Sequence, residues 1–436
     1  MTVELIQNIW ARYGFRGNPF DTAALSASAG ALLPVSKAIV GRDMESNESK
    51  MLLGILRSTG GGRVVVEGDV GVGKTTFVNY HRYLWEVEAE DKLITPATEI
   101  AISGNLNVVS FVNNIIGAVL GKIILIKGEK YVHSRPLLHD LFLLNRVFTH
   151  RSMEVQASLF GFGGGVGRSA QASLPELTEV QLLAYLQDLV SEVQRLKFKG
   201  VFLHFDNLEL ASLRNPEETR LSFDRLRDVL QIPDIYFVFV GQCGFFNEII
   251  SPSERVRSVF SGFPIFVPPL AKEQLLEAIQ RRYKLLSTQS EHFIRPVDDE
   301  LLSYLYDLYD GKMRFILDAV TSIVSNLPHA GAETLDVAST KTFLAELVID
   351  RLQHEVTGRE WDVLKEAVSL GTFTNADIAR ALKQKRQNIS KYFNSLLDKR
   401  FIYPHHRDGR QIYYCASEDV RIIRDVPQKA LKKFLK

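Results

Sequence analysis

The apolar positions of this chain change their spacing twice, and the changes mark three stretches. From Arg63 to about Pro268, short runs such as "RVVVEG", "TEIAISG", "VFLHFD", "IYFVFVG" and "PIFVPP" alternate with helical patterns. Continuous apolar strands separated by helices predict a parallel sheet covered on both faces, an α/β architecture. From Ala271 to about Leu352 the spacing becomes three and four, as in "KEQLLEAIQRRY", "DDELLSYLYDLY" and "MRFILDAVTSIV", which predicts a small all-helical domain. After Gly358 the order reads helix, helix, helix and hairpin. The expected domains are therefore 1–268, 269–354 and 355–436.

Two segments need separate comment. The window "NVVSFVNNIIGAVLGKIILI" at 107–126 is apolar enough to suggest a membrane, but Asn113, Asn114 and Lys122 interrupt it, so a buried amphipathic helix is expected and no membrane partner. The segment "SLFGFGGGVGRSAQASLP" at 158–175 reads equally as an arm reaching a partner or as a solvated insertion. No unit repeats at a fixed period.

Composition adds bounds to this picture. The 436 residues suit about three domains. With 46% hydrophobic and 24% charged residues, the chain has an ordinary globular composition. Cys243 and Cys415 stand far apart without a CxxC spacing, which argues against a disulfide framework or a zinc site and suits a reducing cytoplasm. The N-terminus MTVELIQNIW lacks the pattern of a signal peptide. The net charge of +1 conceals an asymmetry: Arg359–Lys436 holds 17 basic and 9 acidic residues, against 35 and 42 in the rest. A basic C-terminal part points to a phosphate-bearing partner there.

The strongest motif is "GDVGVGKTT", which follows the strand RVVVE and opens a helix, the context that Gly68-x4-Gly73-Lys74-Thr75 requires. Gly68, Gly71 and Gly73 let backbone N–H groups surround phosphates, and the helix N-terminus adds favourable partial charge. Lys74 is expected at the β- and γ-phosphates of ATP, Thr75 on Mg²⁺, and Thr76 beside them. Asp206, ending the apolar strand of "VFLHFDNLEL", is the expected carboxylate for Mg²⁺. Asn207 follows it; a neutral amide can orient a water but cannot take its proton, and Glu209 is the nearest carboxylate, so slow hydrolysis is expected. His204, inside the same strand, reads as a core histidine.

These residues resemble AAA+ ATPases of the origin-recognition initiator group of archaea and eukaryotes, and their bacterial relatives, over nearly the whole length. "NPF" at 18–20 and "VGRD" at 40–43 are similar to the family's N-terminal segment near the adenine, which brings in Arg42. "FVGQCGFF" resembles the sensor-one strand with Gln242. "SERVRSVFSGFPIFVPPL" resembles the arginine-finger segment, with Arg255 the better match and Arg257 the reserve, and "GKMRFILDA" resembles the sensor-two helix with Arg314. A finger places positive charge on a neighbour's phosphoryl group, so the resemblance implies a homo-oligomer formed on ATP. Two departures stand out: Asn207 occupies the place of the family's usual glutamate, and the glycine-rich segment does not match its DNA-contacting insert.

In the C-terminal stretch, Thr374 with Asp377 forms an N-cap pattern, and "KRQNISKYFNSLLDKR" places Ile389, Phe393, Leu396 and Leu397 on one face. "FIYPHHRDGRQIYYCA" reads as two strands about Asp408-Gly409. Three helices and a hairpin make a winged helix-turn-helix. Lys385, Arg386, Gln387, Ser390, Lys391 and Asn394 are its candidate contacts to duplex DNA, with Arg407 and Arg410 at the wing tip. His405 and His406 alternate across a strand and suit no single metal. Two readings follow. One is an ATP-controlled DNA-binding switch in replication, transposition or plasmid maintenance; the other is a signalling or antiphage-defence NTPase whose winged helix docks a protein partner. A kinase or metabolic enzyme would leave the basic module without a purpose.

Overall fold

The structure, a computed structural model, describes residues 8–28, 30–101, 107–146, 178–206, 208, 215–289, 292–326, 334–408 and 411–425. It divides into two compact units, Ala24–Pro268 and the chain before and after it.

The first unit is a parallel sheet. Its strands are β1 (Gly62–Glu67), β2 (Leu93–Ile94), β3 (Ile100–Ala101), β4 (Gly200–Asp206), β5 (Ile235–Gly241) and β6 (Ile265–Phe266). They lie in the order β2-β4-β5-β1-β6, and β3 pairs with the end of β4. Every pairing is parallel. All seven positions of β4 and of β5 are buried, which explains why both read as mostly apolar runs. The period of two sorts their side chains: Leu203, Phe205, Phe237 and Phe239 enter one core, while Phe202, Tyr236, Val238 and Val240 enter the other. The helices covering these faces are α1 (Asn47–Arg57), α2 (Lys74–Tyr83), α3 (Val108–Lys127), α4 (Glu179–Arg195) and α5 (Pro216–Leu230). Helix α3 is the apolar 107–126 window. Phe111, Ile115, Ile116, Val119, Leu120 and Ile123 pack it into the core, while Leu125 and Ile126 at its end are exposed.

Strand β5 separates β1 from β4, so the ends carrying Gly68 and Asp206 face the same edge with one strand between them. Ligands of open parallel sheets bind outside the carboxyl ends of the strands, and that is where this topology collects its polar residues.

The second unit joins the N-terminal segment to the helices α7 (Lys272–Leu286), α8 (Asp299–Leu308), α9 (Met313–Asn326) and α10 (Val337–Leu352), numbered after α6 (Glu254–Arg257) of the first unit. Arg282, buried on α7, donates to the carbonyls of Pro19 (3.1 Å) and Asp21 (2.8 Å), and Asn18 Nδ2 donates to Thr321 Oγ1 at 3.2 Å, so the "NPF" segment packs on these helices. The C-terminal module follows the order α11 (Gly358–Leu370), β7 (Thr372–Phe373), α12 (Asn375–Ala381), α13 (Arg386–Asp398), β8 (Ile402–Asp408) and β9 (Gln411–Ala416). Its strands form an antiparallel sheet in the order β7-β9-β8, so the three helices and hairpin of the sequence reading are present. Capping boxes start two of the helices: Thr357 with Glu360, and Thr374 with Asp377. Trp361, Leu364, Phe373, Ile389, Phe393 and Leu396 fill the core.

An ionic cluster mounts this module on the turn before α9. Lys312 Nζ lies 2.5 Å from Glu418 Oε1, Tyr403 donates its hydroxyl to the same oxygen at 2.7 Å, and Arg421 pairs with Asp310. Glu418 and Arg421 belong to the short helical turn Glu418–Asp425 after β9.

Candidate functional sites

The phosphate loop is built by backbone geometry before any side chain enters. Gly71 and Gly73 take φ of 82° and 95°, the left-handed region that favours glycine. A Cβ on Gly68 would stand 2.6 Å from the Val267 carbonyl oxygen, and one on Gly73 would stand 2.8 Å from Arg42 Nη1. The glycines are thus required both by the turn and by the close approach of its neighbours. Helix α2 begins at Lys74 immediately after the turn, so its first N–H groups face the loop.

Thr75 donates its hydroxyl to Asp206 Oδ2 at 2.6 Å, joining residues 131 apart in sequence. Hydroxyl and carboxylate are hard oxygen ligands of the kind Mg²⁺ takes. Lys74, itself buried, donates from Nζ to the carbonyls of Gly68 (2.9 Å) and Asp69 (2.8 Å). The loop therefore holds its own ammonium group in place at the position where phosphate oxygens would compete for it. Arg42 is buried as well and donates from Nη2 to the Pro268 carbonyl at 2.6 Å. Desolvation brings its guanidinium down to about 10, with Glu48 opposing, so it remains charged at neutral pH. Thr76 Oγ1 accepts from the Leu25 N–H at 3.2 Å and ties the segment preceding α1 to the loop.

Gln242 is half-buried directly after β5. Beyond it, Ser253 caps α6 and donates its hydroxyl to Asp224 of α5 at 2.7 Å. The two arginines of α6 differ: Arg257 lies over the Phe246 ring, 4.9 Å from its centroid, whereas Arg255 is exposed. Arg314 is exposed in the first turn of α9, in the other unit. Asn207 and Glu209 lie outside the described residues, as does the glycine-rich segment 158–175.

Two further groups belong to this site, neither expected there from the sequence. Glu67, the residue before Gly68, is buried, and its carboxylate accepts from the backbone N–H of Gly244 (3.3 Å) and Phe246 (2.5 Å). Cys243 donates its thiol to Asp69 Oδ1 at 3.5 Å; burial and that carboxylate push the thiol up to about 11. A carboxylate ending an apolar strand was the available signal for Glu67, the same one that singled out Asp206. His204 is buried on β4 with neither ring nitrogen hydrogen-bonded, and desolvation holds its pKa well below the usual range, as befits a neutral core histidine.

On the C-terminal module, Lys385, Arg386, Gln387, Lys391 and Asn394 are exposed; Gln387, Lys391 and Asn394 lie on the side of α13 away from Ile389, Phe393 and Leu396, while Lys385 and Arg386 stand at its N-terminal end. Ser390 is half-buried: it accepts from Asn375 Nδ2 at 3.2 Å and donates to the Arg386 carbonyl at 2.9 Å. In the hairpin, Arg407 pairs through its backbone with Ile412; its side chain, and Arg410 with Gly409, lie outside the described residues.

Among solved structures, the chain is similar to three archaeal proteins. They are the Aeropyrum pernix ORC2 protein in its ADPNP-ADP complexes (TM-score 0.47, 12% identity, 95% of this chain and 98% of that one), CDC6P from Pyrobaculum aerophilum (0.40, 16%, 94% and 98%) and the Aeropyrum pernix ORC1 protein in complex with DNA (0.44, 13%, 93% and 94%). No family model matches the chain, and no curated protein sequence matches it.

Proposed function

We propose that this chain is an ATP-binding switch of the AAA+ initiator type that assembles on ATP and grips duplex DNA through its C-terminal winged helix. The observation that carries the nucleotide half is the 2.6 Å contact between Thr75 and Asp206, the two groups expected to share one Mg²⁺. Bound there, Mg²⁺ would neutralise charge on the phosphate oxygens. The chain's own residues do the rest. The glycine turn and the start of α2 present N–H groups to the phosphates, and Lys74 exchanges two loop carbonyls for phosphate oxygens.

Asn207 orients a water without accepting its proton, so turnover is slow and ATP acts mainly as a conformational ligand. Arg255, exposed on a short helix capped by Ser253, is the arginine offered to a neighbouring subunit, since Arg257 is occupied by Phe246. Gln242 reads the phosphate from the end of β5. Lys385, Arg386, Gln387, Lys391 and Asn394 face the duplex; Ser390 supports Asn375 and Arg386 from inside.

The test is steady-state ATP hydrolysis with and without duplex DNA, in wild type, Asn207→Glu and Glu209→Gln. Slow turnover that rises with DNA and with Asn207→Glu is the expected result. Turnover indifferent to DNA would instead favour a protein-sensing signalling or defence NTPase.

A further inference from the structure

Glu67 ends the strand that delivers the phosphate loop, yet it points away from that role. Its carboxylate accepts two backbone N–H groups from the turn after β5, those of Gly244 and Phe246. That turn is built on a glycine: Gly244 sits at φ +90°, where only glycine is relaxed, and the chain leads from there into the helical turn Phe246–Ile250. A carboxylate taken out of water is costly unless hydrogen bonds satisfy it, so a buried Glu67 persists because the turn completes it. Burial pushes its carboxyl above the usual range and the two N–H groups pull it back, while Glu248 adds a further upward push.

The contacts continue in one direction. Gly241, the last residue of β5, leaves no room for a Cβ, which would lie 2.9 Å from the Phe245 ring, so the turn packs tightly against the strand end. Cys243, in the same turn, touches Asp69 of the loop. The Phe246 ring carries the Arg257 guanidinium on its face, and Arg257 shares the four-residue helix α6 with Arg255. The strand end, the turn bearing Gln242 and the helix bearing Arg255 are thus linked one to the next, all within Ala24–Pro268.

Building on the ATP-switch reading, we propose that Glu67 is a positioning residue: it sets the Gln242 turn and, through Phe246 and Arg257, the helix of Arg255 in register with the phosphate loop. It touches neither nucleotide nor neighbour. The consequence is that the ATP held by one subunit and the arginine it offers to the next are aligned by one carboxylate.

Glu67→Gln keeps the shape but replaces one acceptor oxygen with an NH₂ group facing a backbone N–H. The expected result is a kcat lower by about tenfold or more, with KM and the Kd for a fluorescent ATP analogue within about twofold of wild type, because a small misplacement harms the reacting geometry more than the cradle. The loss caused by Arg255→Ala should also shrink in the Glu67→Gln background, as non-additivity requires of groups acting through one path. Wild-type kcat in Glu67→Gln, with a full additional loss from Arg255→Ala, overturns the proposal. If Glu67→Gln fails to fold, Phe246→Leu decides: it keeps an apolar core residue, removes the ring beneath Arg257, and should show the same kcat loss and the same non-additivity, or the proposal falls. Wild-type protein that binds no ATP analogue would sink the ATP-switch reading itself, and Glu67 with it.

Discussion

The two sites of this molecule handle charge in opposite ways. At the phosphate loop, Lys74, Asp206, Arg42 and Glu67 are all buried and already hydrogen-bonded or ion-paired to the surrounding chain. On the C-terminal module, Arg386, Gln387, Lys391 and Asn394 project into solvent, and buried charge stands elsewhere, at Glu360 and in the mount, where Lys312 and Glu418 are 12% and 8% exposed. The difference follows from the ligands proposed for them. A triphosphate concentrates charge in a small volume and needs converging donors fixed in advance, because reorganising them at binding costs free energy. A duplex spreads its charge over many phosphates, so exposed basic side chains suffice, while the angle of the whole module must be held.

That contrast can be broken most severely at the loop. Lys74→Ala should weaken binding of a fluorescent ATP analogue by about 100-fold or more, since it removes a charge-assisted contact from a desolvated site. ATP-dependent assembly, followed by sedimentation, should disappear with it. Assembly unchanged from wild type would refute the claim.

Acid should separate the two regions next. His81, fully buried on α2 with Nε2 against Ser49 Oγ at 3.1 Å, is brought down to about 3 by desolvation. Its folded form stays neutral while the unfolded chain takes a proton below about pH 6.5, so His81 alone should cost the sheet unit about 1.4 kcal/mol per pH unit below that value, and His204, neutral for the same reason, adds to the loss. Glu360 behaves differently: burial pushes it up, but Ser395, Thr357 and Lys399 outweigh burial and hold it at about 2, against an ordinary 4.5. Its contribution is intact above the ordinary value and fades only as pH falls from about 4.5 towards 2. Hydrogen exchange between pH 7 and 4.5 should therefore release the amides of β1 and α2 before those of α11 and α13. Simultaneous release would show that the buried histidines do not set the acid limit.

The mount comes third. Lys312→Met leaves Glu418 with Tyr403 and Arg421 only. Breaking a buried pair costs more than an exposed one, and with two partners remaining we expect about 2 kcal/mol, read from urea unfolding. A loss below about 0.5 kcal/mol would place this cluster with ordinary surface pairs.

The smallest effect belongs to the exposed face. Arg386→Ala with Lys391→Ala should lower duplex affinity about tenfold at physiological salt and reduce the slope of log K against log salt by about 2. Binding that keeps its slope would remove α13 from the DNA surface.

Much of this was legible in the sequence because it depends on neighbours in the chain. The Gly68–Thr75 spacing dictates a turn in which Gly71 and Gly73 adopt positive φ, and the runs at 201–206 and 235–241 are mostly apolar because both faces of a parallel sheet are covered. The Thr374–Asp377 cap and the apolar face of Ile389, Phe393 and Leu396 obey helical spacing. Ser390 shows the limit of that method: helical spacing turns it outward with Arg386 and Lys391, but Asn375 on the neighbouring helix draws it into a hydrogen bond.

Local spacing thus accounts for the elements and for the chemistry each could carry. Tertiary structure alone decided which groups meet. Thr75 reaches Asp206 because β5 is inserted between β1 and β4 and brings both strand ends to one edge. Glu67 becomes a clasp because the turn after β5 returns two N–H groups to it, and Glu418 becomes part of a mount because Lys312 lies opposite. Such pairings span 106 to 179 residues of chain, and they are set by strand order and packing, which no local spacing encodes.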